Sequence, residues 1–245
     1  MIARVDWFVD WFDSYHYHLL YENRDSKEAE QFIRSLFQYL GPKESSKILD
    51  LACGKGRHAM QVHDLGFDVL GVDLSEKSIN FAKQQASKRL NFEIADMRNL
   101  KLSNRFDIIL NLFTSFGYFK KEGENVKVIT SIANTLNKGG LLVLDYLNVL
   151  KVKEQLPSKE TVQKGSISFN IDKEIDNDFI VKRIHFVKEG QQFEYKEYVK
   201  LIDLKMFTAY FHSVGLEMVD VFGDYQLNDF DESTSDRLIL IAKKR

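Results

Sequence analysis

Hydrophobic residues recur with different spacings along this chain, and the spacing first changes near residue 47. Before that point they return every three to four positions, which predicts two helices over the first 40 residues. The first helix is unusually aromatic, and Gly41 and Pro42 end the second. From residue 47 to 146, short apolar runs alternate with helical patterns, at 48–51, 69–72, 92–95, 106–112 and 141–144. This alternation predicts a parallel sheet with helices on both faces.

The spacing changes again between residues 166 and 202, where apolar and polar residues alternate with period two. Breaks with turn-forming residues divide this stretch, so it predicts a small antiparallel meander with one partly solvated face. Asp203 can cap a helix that follows it, and residues 218–222 and 238–242 predict two final strands. The chain therefore predicts an α/β fold that contains an antiparallel β insertion.

Charge and composition narrow the function classes. The chain of 245 residues has 34 Lys and Arg against 36 Asp and Glu, a formal net charge of −2, with the basic residues spread out. That pattern disfavours nucleic acid as a partner. Cys53 is the single cysteine, so no intramolecular disulfide can form. There is no apolar run of about 18 residues and no signal-peptide pattern, so we expect a cytoplasmic protein without membrane contact.

Residues suited to bind a ligand follow the ends of four successive predicted strands. They are the loop 52–56 with its two glycines, Asp73, the pair Asp96 and Met97, and the segment 111–119. In an open α/β sheet the ligand crevice lies outside the carboxyl ends of the strands, so we expect these residues to meet there. Glycines let a backbone approach a ligand closely, and a carboxylate suits a ribose diol. No metal site is predicted.

The segments ILDLACGKG, GVDLS, ADM and FDIILNLFTSFGYF, in this order, resemble the class I S-adenosylmethionine-dependent methyltransferases. The resemblance covers roughly residues 47 to 146 and implies a Rossmann-like, doubly wound, mostly parallel seven-stranded sheet with an antiparallel β insertion and N-terminal helices. It implies these cofactor contacts: Asp50, Ala52, Gly54 and Gly56 for the methionine portion, Asp73 for the ribose, Leu74, Asp96 and Met97 for the adenine, and Asn111, Leu112 and Phe113 beside the sulfonium.

The resemblance also suggests a division of the single domain 1–245. We expect an N-terminal helical lid at 1–46, a cofactor-binding core at 47–150, a substrate cap formed by the β insertion at 151–202, and a final helix and strand pair at 203–245. An early arginine reaches the cofactor carboxylate in several relatives that have a lid. Arg24 matches that position, and the alternative is a surface salt bridge with Asp25 or Glu28.

A dinucleotide-binding protein is the alternative interpretation of the glycine loop. Gly54, Gly56 and Ala59 fit the pattern G-x-G-x-x-A, and Asp73 follows near the place expected for a ribose acid. The carboxylate of Asp50 argues against that interpretation, because it suits a cationic amino-acid ligand better than a pyrophosphate. Asp96 and Met97, which follow the third predicted strand, also match no known part of a nicotinamide-dinucleotide site.

The sequence leaves the methyl acceptor and the catalytic residues open. His185, Tyr118, His18 and Tyr17 are candidates, although His185 can equally be a solvated strand residue. The segment beginning at Asn111 lacks an N-P-P-Y-type tetrad, which disfavours nucleobase-amine and glutamine-amide acceptors. We expect methyl transfer to a nitrogen or oxygen of a small molecule. An RNA or protein methyltransferase and a non-catalytic S-adenosylmethionine-binding module are the alternatives.

Overall fold

The computed structural model describes residues 6–22 and 26–245 of the chain. Arg24 lies outside the described residues. The helices are α1 (Trp7–Phe12), α2 (Tyr15–Leu20), α3 (Ser26–Leu40), α4 (Arg57–Asp64), α5 (Glu76–Ala82), α6 (Glu122–Thr135), α7 (Val149–Gln155) and α8 (Leu204–Ser213). The strands are β1 (Lys47–Leu51), β2 (Asp68–Asp73), β3 (Leu90–Ile94), β4 (Phe106–Asn111), β5 (Leu136–Leu147), β6 (Ser158–Lys164), β7 (Ile167–Asp176), β8 (Phe179–Lys188), β9 (Gln191–Lys200), β10 (Leu216–Phe222) and β11 (Arg237–Lys244).

Seven strands form the main sheet in the order β10-β11-β5-β4-β1-β2-β3. Every neighbouring pair is parallel except the two pairs that involve β11, which runs antiparallel to both β5 and β10. This confirms the predicted doubly wound, mostly parallel sheet. The strand order reverses between β4 and β1, so the crevice expected of this fold lies beyond the carboxyl ends of these two strands.

The apolar runs become strands because both faces of the sheet are covered. Four of the six residues of β4 are fully buried as a continuous run, and the apolar residues of β1 are buried as well. Helices α3, α4 and α5 contribute to the core on one face, while α6 and α8 contribute to the core on the other. Asp50 is therefore a carboxylate inside a fully covered strand.

The N-terminal region has three helices where the spacing predicts two. The first predicted helix is divided at Asp13 and Ser14, because the Ser14 hydroxyl accepts the backbone N–H of Tyr17 and starts α2 as a separate helix. The amphipathic helix α3 belongs to the main core, where Phe32, Ile33 and Leu36 are buried. Helix α3 is thus part of the core, and we use the term lid for α1 and α2 only.

The second sheet has four antiparallel strands in the order β6-β7-β8-β9. The meander was expected to start at residue 166, and that boundary is wrong, because β6 lies before it. Since β6 is mostly polar and exposed, its sequence carries no hydrophobic alternation. The sheet presents Phe169, Ile184 and Phe186 toward Trp11 and Leu20 of α1 and α2, so lid and insertion share one apolar core.

Within the described ranges, we find no helix that combines the length and the hydrophobicity needed to cross a membrane.

Candidate active site

A cavity of about 1050 Å³ lies at the carboxyl ends of β1, β2 and β4, where the fold positions its ligand crevice. The loops after these strands form one wall, and helices α1 and α2 form the opposite wall. Glu197 and Val199 of β9 close one end. The structure thus brings the main sheet, the helices α1 and α2 and the β insertion together around one cavity.

The loop after β1 turns sharply into α4 through backbone angles that favour glycine. Gly54 has a φ of 55° and Gly56 a φ of 84°, and Ala52 adopts the same left-handed region with a φ of 62°. Ala52 and Gly54 line the cavity, whereas Gly56 does not. A Cβ at Gly56 would lie 2.7 Å from the ring of Phe92 on β3, so this glycine is needed for packing of the loop against the sheet.

Asp50 lies directly before this loop and is buried beneath the cavity wall. Burial, with a smaller contribution from the nearby Asp73, raises the pKa of its carboxyl to about 7 against the opposing effects of the Ala59 N–H and Arg57. Its Oδ2 is buried and has no hydrogen-bond partner among the described residues. A buried carboxylate with an orphaned oxygen is suited to a cationic ligand group in the loop above it.

Asp73 ends β2 and holds two segments of the cavity wall together. Its Oδ2 accepts the Gly54 N–H at 2.8 Å, and its Oδ1 accepts the Ser75 N–H at 2.8 Å. Burial raises the pKa of this carboxyl, while the two N–H groups act in the opposite direction. Because each carboxylate oxygen has a second lone pair, Asp73 can still accept hydroxyl donors from the cavity. Leu74 lies beside it on the same wall.

Asp96 and Met97 follow β3 and both line the cavity. Burial would raise the pKa of Asp96, but the Arg98 guanidinium, which binds both carboxylate oxygens, lowers it. Arg98 also donates to Glu124 on α6 at 2.9 Å, so the pair is held against the sheet. Asp96 therefore stays ionised as an acceptor, with the apolar Met97 next to it.

The segment after β4 divides into a buried part and a cavity-lining part. Asn111 is fully buried, donates its amide to the Leu51 carbonyl at 3.1 Å, and does not line the cavity. Leu112 and Phe113 do line it. The structure thus places Asn111 beneath the site, where it ties β4 to the end of β1.

Phe113 and Thr114 have φ values of 56° and 58°, a strained pair for residues with a Cβ. Asp145 of β5 holds this turn, because its Oδ2 accepts the Phe113 N–H at 2.7 Å. Arg237 of β11 donates to Asp145 at 2.8 Å and to the Thr114 hydroxyl at 2.9 Å. Sequence reasoning missed Arg237, since only the antiparallel pairing of β11 with β5 brings it to the site.

Residues 42–200 match the family model described as a methyltransferase domain, which is more than half of the chain. The chain belongs to this methyltransferase domain family. Its cofactor is S-adenosylmethionine. The orphaned carboxylate of Asp50, the ribose-type carboxylate of Asp73 and the acceptor at Asp96 fit that cofactor's ammonium, diol and adenine amine.

Relatives of known sequence or structure align with this methyltransferase over different fractions of its length. A glycine/sarcosine N-methyltransferase of Aphanothece halophytica is 27% identical and is aligned over 98% of this chain and 89% of its own length. YqeM of Bacillus subtilis is 32% identical, but the match spans only 46% of this chain and about half, 47%, of that relative. A crystal structure of an S-adenosylmethionine-dependent methyltransferase from Clostridium acetobutylicum superposes with a TM-score of 0.79 at 19% identity, covering 93% of this chain and 95% of that chain. At that identity the likeness concerns the fold.

The lid of the methyltransferase is attached to the corner that carries the ribose-type carboxylate. Asp13, between α1 and α2, accepts the Ser75 hydroxyl at 2.7 Å and the Lys77 N–H at 3.0 Å. Ser75 is the N-cap of α5 and lies two residues after Asp73. The segment between α1 and α2 is therefore bonded to the part of the cavity wall that follows Asp73. No motif in the sequence marks Asp13 for this contact.

Three of the four candidate catalytic residues line the cavity, namely Tyr17, His18 and Tyr118. Burial lowers the pKa of His18 to about 4, and Lys55 and Lys77 lower it further against the opposing effect of Asp13. These charged neighbours belong to the cofactor end of the cavity. His18 is therefore a neutral imidazole at pH 7 near the glycine loop.

His185 is not among the residues that line the cavity. It lies on β8 between Ile184 and Phe186, which both face the lid. Because side chains alternate along a strand, His185 points to the opposite face of the second sheet, where it is paired with Glu194 of β9.

The end of the cavity away from the glycine loop is formed by the lid and β9. Glu197 Oε1 accepts the Trp11 indole N–H at 2.7 Å and the Tyr21 hydroxyl at 2.8 Å. Tyr118 and Trp7 add edge-to-face aromatic contacts to this end. Sequence reasoning missed Glu197, since its partners lie more than 170 positions away along the chain.

Proposed function

We propose that this protein transfers a methyl group from S-adenosylmethionine to a nitrogen atom of a small molecule. The observation that carries the proposal is the cavity of about 1050 Å³, whose glycine-loop end suits the cofactor and whose aromatic end suits a compact acceptor. The similarity to a glycine/sarcosine N-methyltransferase over nearly the whole chain supports a nitrogen acceptor. Location in the cytoplasm stays a prediction from composition.

The residues at the cofactor end have separate proposed tasks. Asp50 and the loop of Ala52 and Gly54 hold the methionine portion, and Asp73 accepts the ribose hydroxyls. Asp96 accepts the adenine amine, with Leu74 and Met97 against the ring. The cofactor supplies a methyl group that is already activated on a sulfonium, so the protein has mainly to align the acceptor and exclude water.

The acceptor end favours an amine over a hydroxyl. A neutral amine has a lone pair and needs little help from a base, whereas a hydroxyl needs a general base with a pKa near the working pH. Of the candidate catalytic residues that line the cavity, His18 is the only histidine; it lies near the glycine loop, and its pKa near 4 makes it a poor proton acceptor at pH 7. The aromatic rings of Trp7 and Tyr118 suit the charge of a methylated ammonium product.

A macromolecular acceptor is disfavoured because α1 and α2 form one wall of the cavity and cover part of it. The lid contact of Asp13 with Ser75 and Lys77 covers the approach along α5. An RNA acceptor would also require a basic face and binding that weakens steeply with salt. The net charge of −2 gives no support to such a face.

The proposal is tested with the full-length protein and S-adenosylmethionine labelled in the methyl group. Small primary and secondary amines, the matching alcohols, total RNA and a protein extract are assayed separately for label transfer. We expect transfer to amines and none to the matching alcohols, with Asp73→Ala as a variant of reduced rate. Transfer to RNA or protein alone, or to alcohols alone, would contradict the proposal.

A further inference from the structure

Four polar residues form a row across the second sheet. Ser158, Lys173, Lys182 and Glu197 lie directly opposite one another on β6, β7, β8 and β9. Residues in such register project from the same face of a sheet, with neighbouring Cβ atoms about 4.5–5.5 Å apart. This face is the one that carries the apolar residues packed against the lid.

The polar row lies between two apolar rows. On one side are Ile171, Ile184 and Tyr195, which are in register with one another. On the other side are Ile180 and Val199, also in register, which belong to a small apolar cluster with Val149 and Leu201. Burying polar side chains between apolar rows on the covered face of a sheet costs free energy unless the polar groups have hydrogen-bond or charge partners.

A second cavity, of about 240 Å³, lies over this row. All four residues of the row line it, together with Gln155 and an apolar floor formed by Leu147, Val152, Leu156, Ile180 and Val199. Glu197 and Val199 line the active-site cavity as well. The second cavity therefore adjoins the acceptor end, with Glu197 and Val199 shared between the two.

The polar groups that face the second cavity are mainly hydrogen-bond donors. Two ammonium groups, a hydroxyl and an amide face a single carboxylate, Glu197, which already accepts bonds from Trp11 and Tyr21. Lysines directly opposite each other on neighbouring strands repel. Lys182 Nζ lies 3.7 Å from Glu197 Oε2, and only 15% of the Lys182 side chain is exposed.

Each lysine also has a carboxylate partner, Glu160 for Lys173 and Glu197 for Lys182. Lys173 Nζ lies 2.8 Å from Glu160 of β6, but both side chains are partly solvated, and such pairs contribute little. Lys182 also donates to the Tyr21 hydroxyl, which belongs to the C-terminal end of α2. The ammonium of Lys182 is thus held at the boundary between the lid and the second cavity.

We infer that the second cavity is an anion subsite of the acceptor, in which Lys173 and Lys182 bind a carboxylate or phosphate group. The acceptor is then an amine joined by a short apolar segment to an anionic group, with its nitrogen in the larger cavity. This inference rests on the proposed function, since it assigns a further part of the acceptor in the same site.

The subsite is first tested without turnover, using inorganic phosphate and acetate as separate probes. The protein is loaded with S-adenosylhomocysteine, and its melting temperature is measured with each probe at constant ionic strength, with chloride as reference. We expect at least one probe to raise the melting temperature of the wild type, and Lys182→Met to abolish that rise. Lys196→Met is the matched control, because Lys196 lies on the outer face of β9 beside Glu194.

The second measurement compares matched acceptors that differ in one group. An amine with a carboxylate or phosphate end is compared with the same amine ending in an uncharged amide. We expect the wild type to prefer the anionic member, and the ratio of the two kcat/KM values to fall at least tenfold in Lys182→Met and to recover in Lys182→Arg. S-adenosylhomocysteine affinity, measured by calorimetry, reports on the integrity of the variants.

Several results would overturn the inference. They are the absence of any probe effect in the wild type, a probe effect that survives in both Lys182→Met and Lys173→Met, or equal use of anionic and uncharged amines. Failure of the proposed function is distinguishable, because no amine would then be methylated while the melting measurements still decide whether the anion site exists.

Discussion

Binding of the cofactor should depend on pH through Asp50. The carboxyl is buried with a pKa near 7 in the free protein, so it is largely protonated at pH 6 and ionised at pH 8. A cationic ammonium held in the adjacent loop stabilises the ionised form and lowers this pKa in the complex. The affinity for the cofactor therefore approaches its maximum above pH 7 and decreases as the pH falls below 7.

The magnitude follows from proton linkage. If the ligand binds only the ionised form, its affinity falls about tenfold for each pH unit below 7, or about 1.4 kcal/mol per unit. Between pH 8 and pH 6 this predicts a decrease of about tenfold in the affinity for S-adenosylhomocysteine, which carries the same ammonium group. Isothermal titration calorimetry from pH 5.5 to 8.5 measures this directly.

Asp50→Asn is the decisive variant, because its side chain keeps the shape but cannot ionise. We expect a flat affinity profile over the same range. His58 also lines the cavity and remains in the variant, so a slope caused by imidazole titration would persist. Asp68→Asn, at the exposed start of β2, serves as a surface control. A wild-type affinity independent of pH, or an unchanged slope in Asp50→Asn, would refute the reasoning.

Three further predictions concern the wall and its supports. Asp73→Ala should weaken S-adenosylhomocysteine binding at least about tenfold by calorimetry; unchanged affinity would remove Asp73 from the ribose site. Gly56→Ala should lower the free energy of unfolding in urea by about 1–3 kcal/mol more than Gly66→Ala does, because both glycines have a positive φ but only Gly56 lacks room for a Cβ. Equal decreases in the free energy of unfolding would contradict this. Arg237→Met should lower the free energy of unfolding by about 3–5 kcal/mol, because the Asp145 carboxylate is then buried without its guanidinium partner. Adding Asp145→Asn should restore part of this stability. If the effects of the two substitutions simply add, the two residues are not coupled, and the reasoning is wrong.

The elements that sequence reasoning predicted well are those with a strong local signal. The apolar runs of β1 and β4 and the N-cap at Asp203 depend on neighbours a few positions away, and the structure confirms them. The mostly polar β6 and the division between α1 and α2 were missed. These depend on pairing with β7 and on a single serine cap, which a hydrophobic pattern does not reveal.

The candidate site shows the same division. The loop after β1, Asp73 and the pair after β3 were predicted because each follows an apolar run, and parallel strands end at one edge of a sheet. Arg237 and Asp13 were missed, because their contacts lie 92 and 62 positions away along the chain. His185 was a plausible candidate until the register of β8 directed it to the outer face of the second sheet.

The sequence alone thus determined the order of strands and helices, the glycine loop and the acids at the strand ends, and through them the cofactor. Only the tertiary structure decided that α1 and α2 close over Ser75, that Asn111 lies beneath the site, and that Lys173, Lys182 and Glu197 form one row. The physical reason is the range of the interactions involved. Turn chemistry and hydrophobic periodicity act between neighbours, whereas strand register, burial and charge pairing are set by segments far apart in the chain.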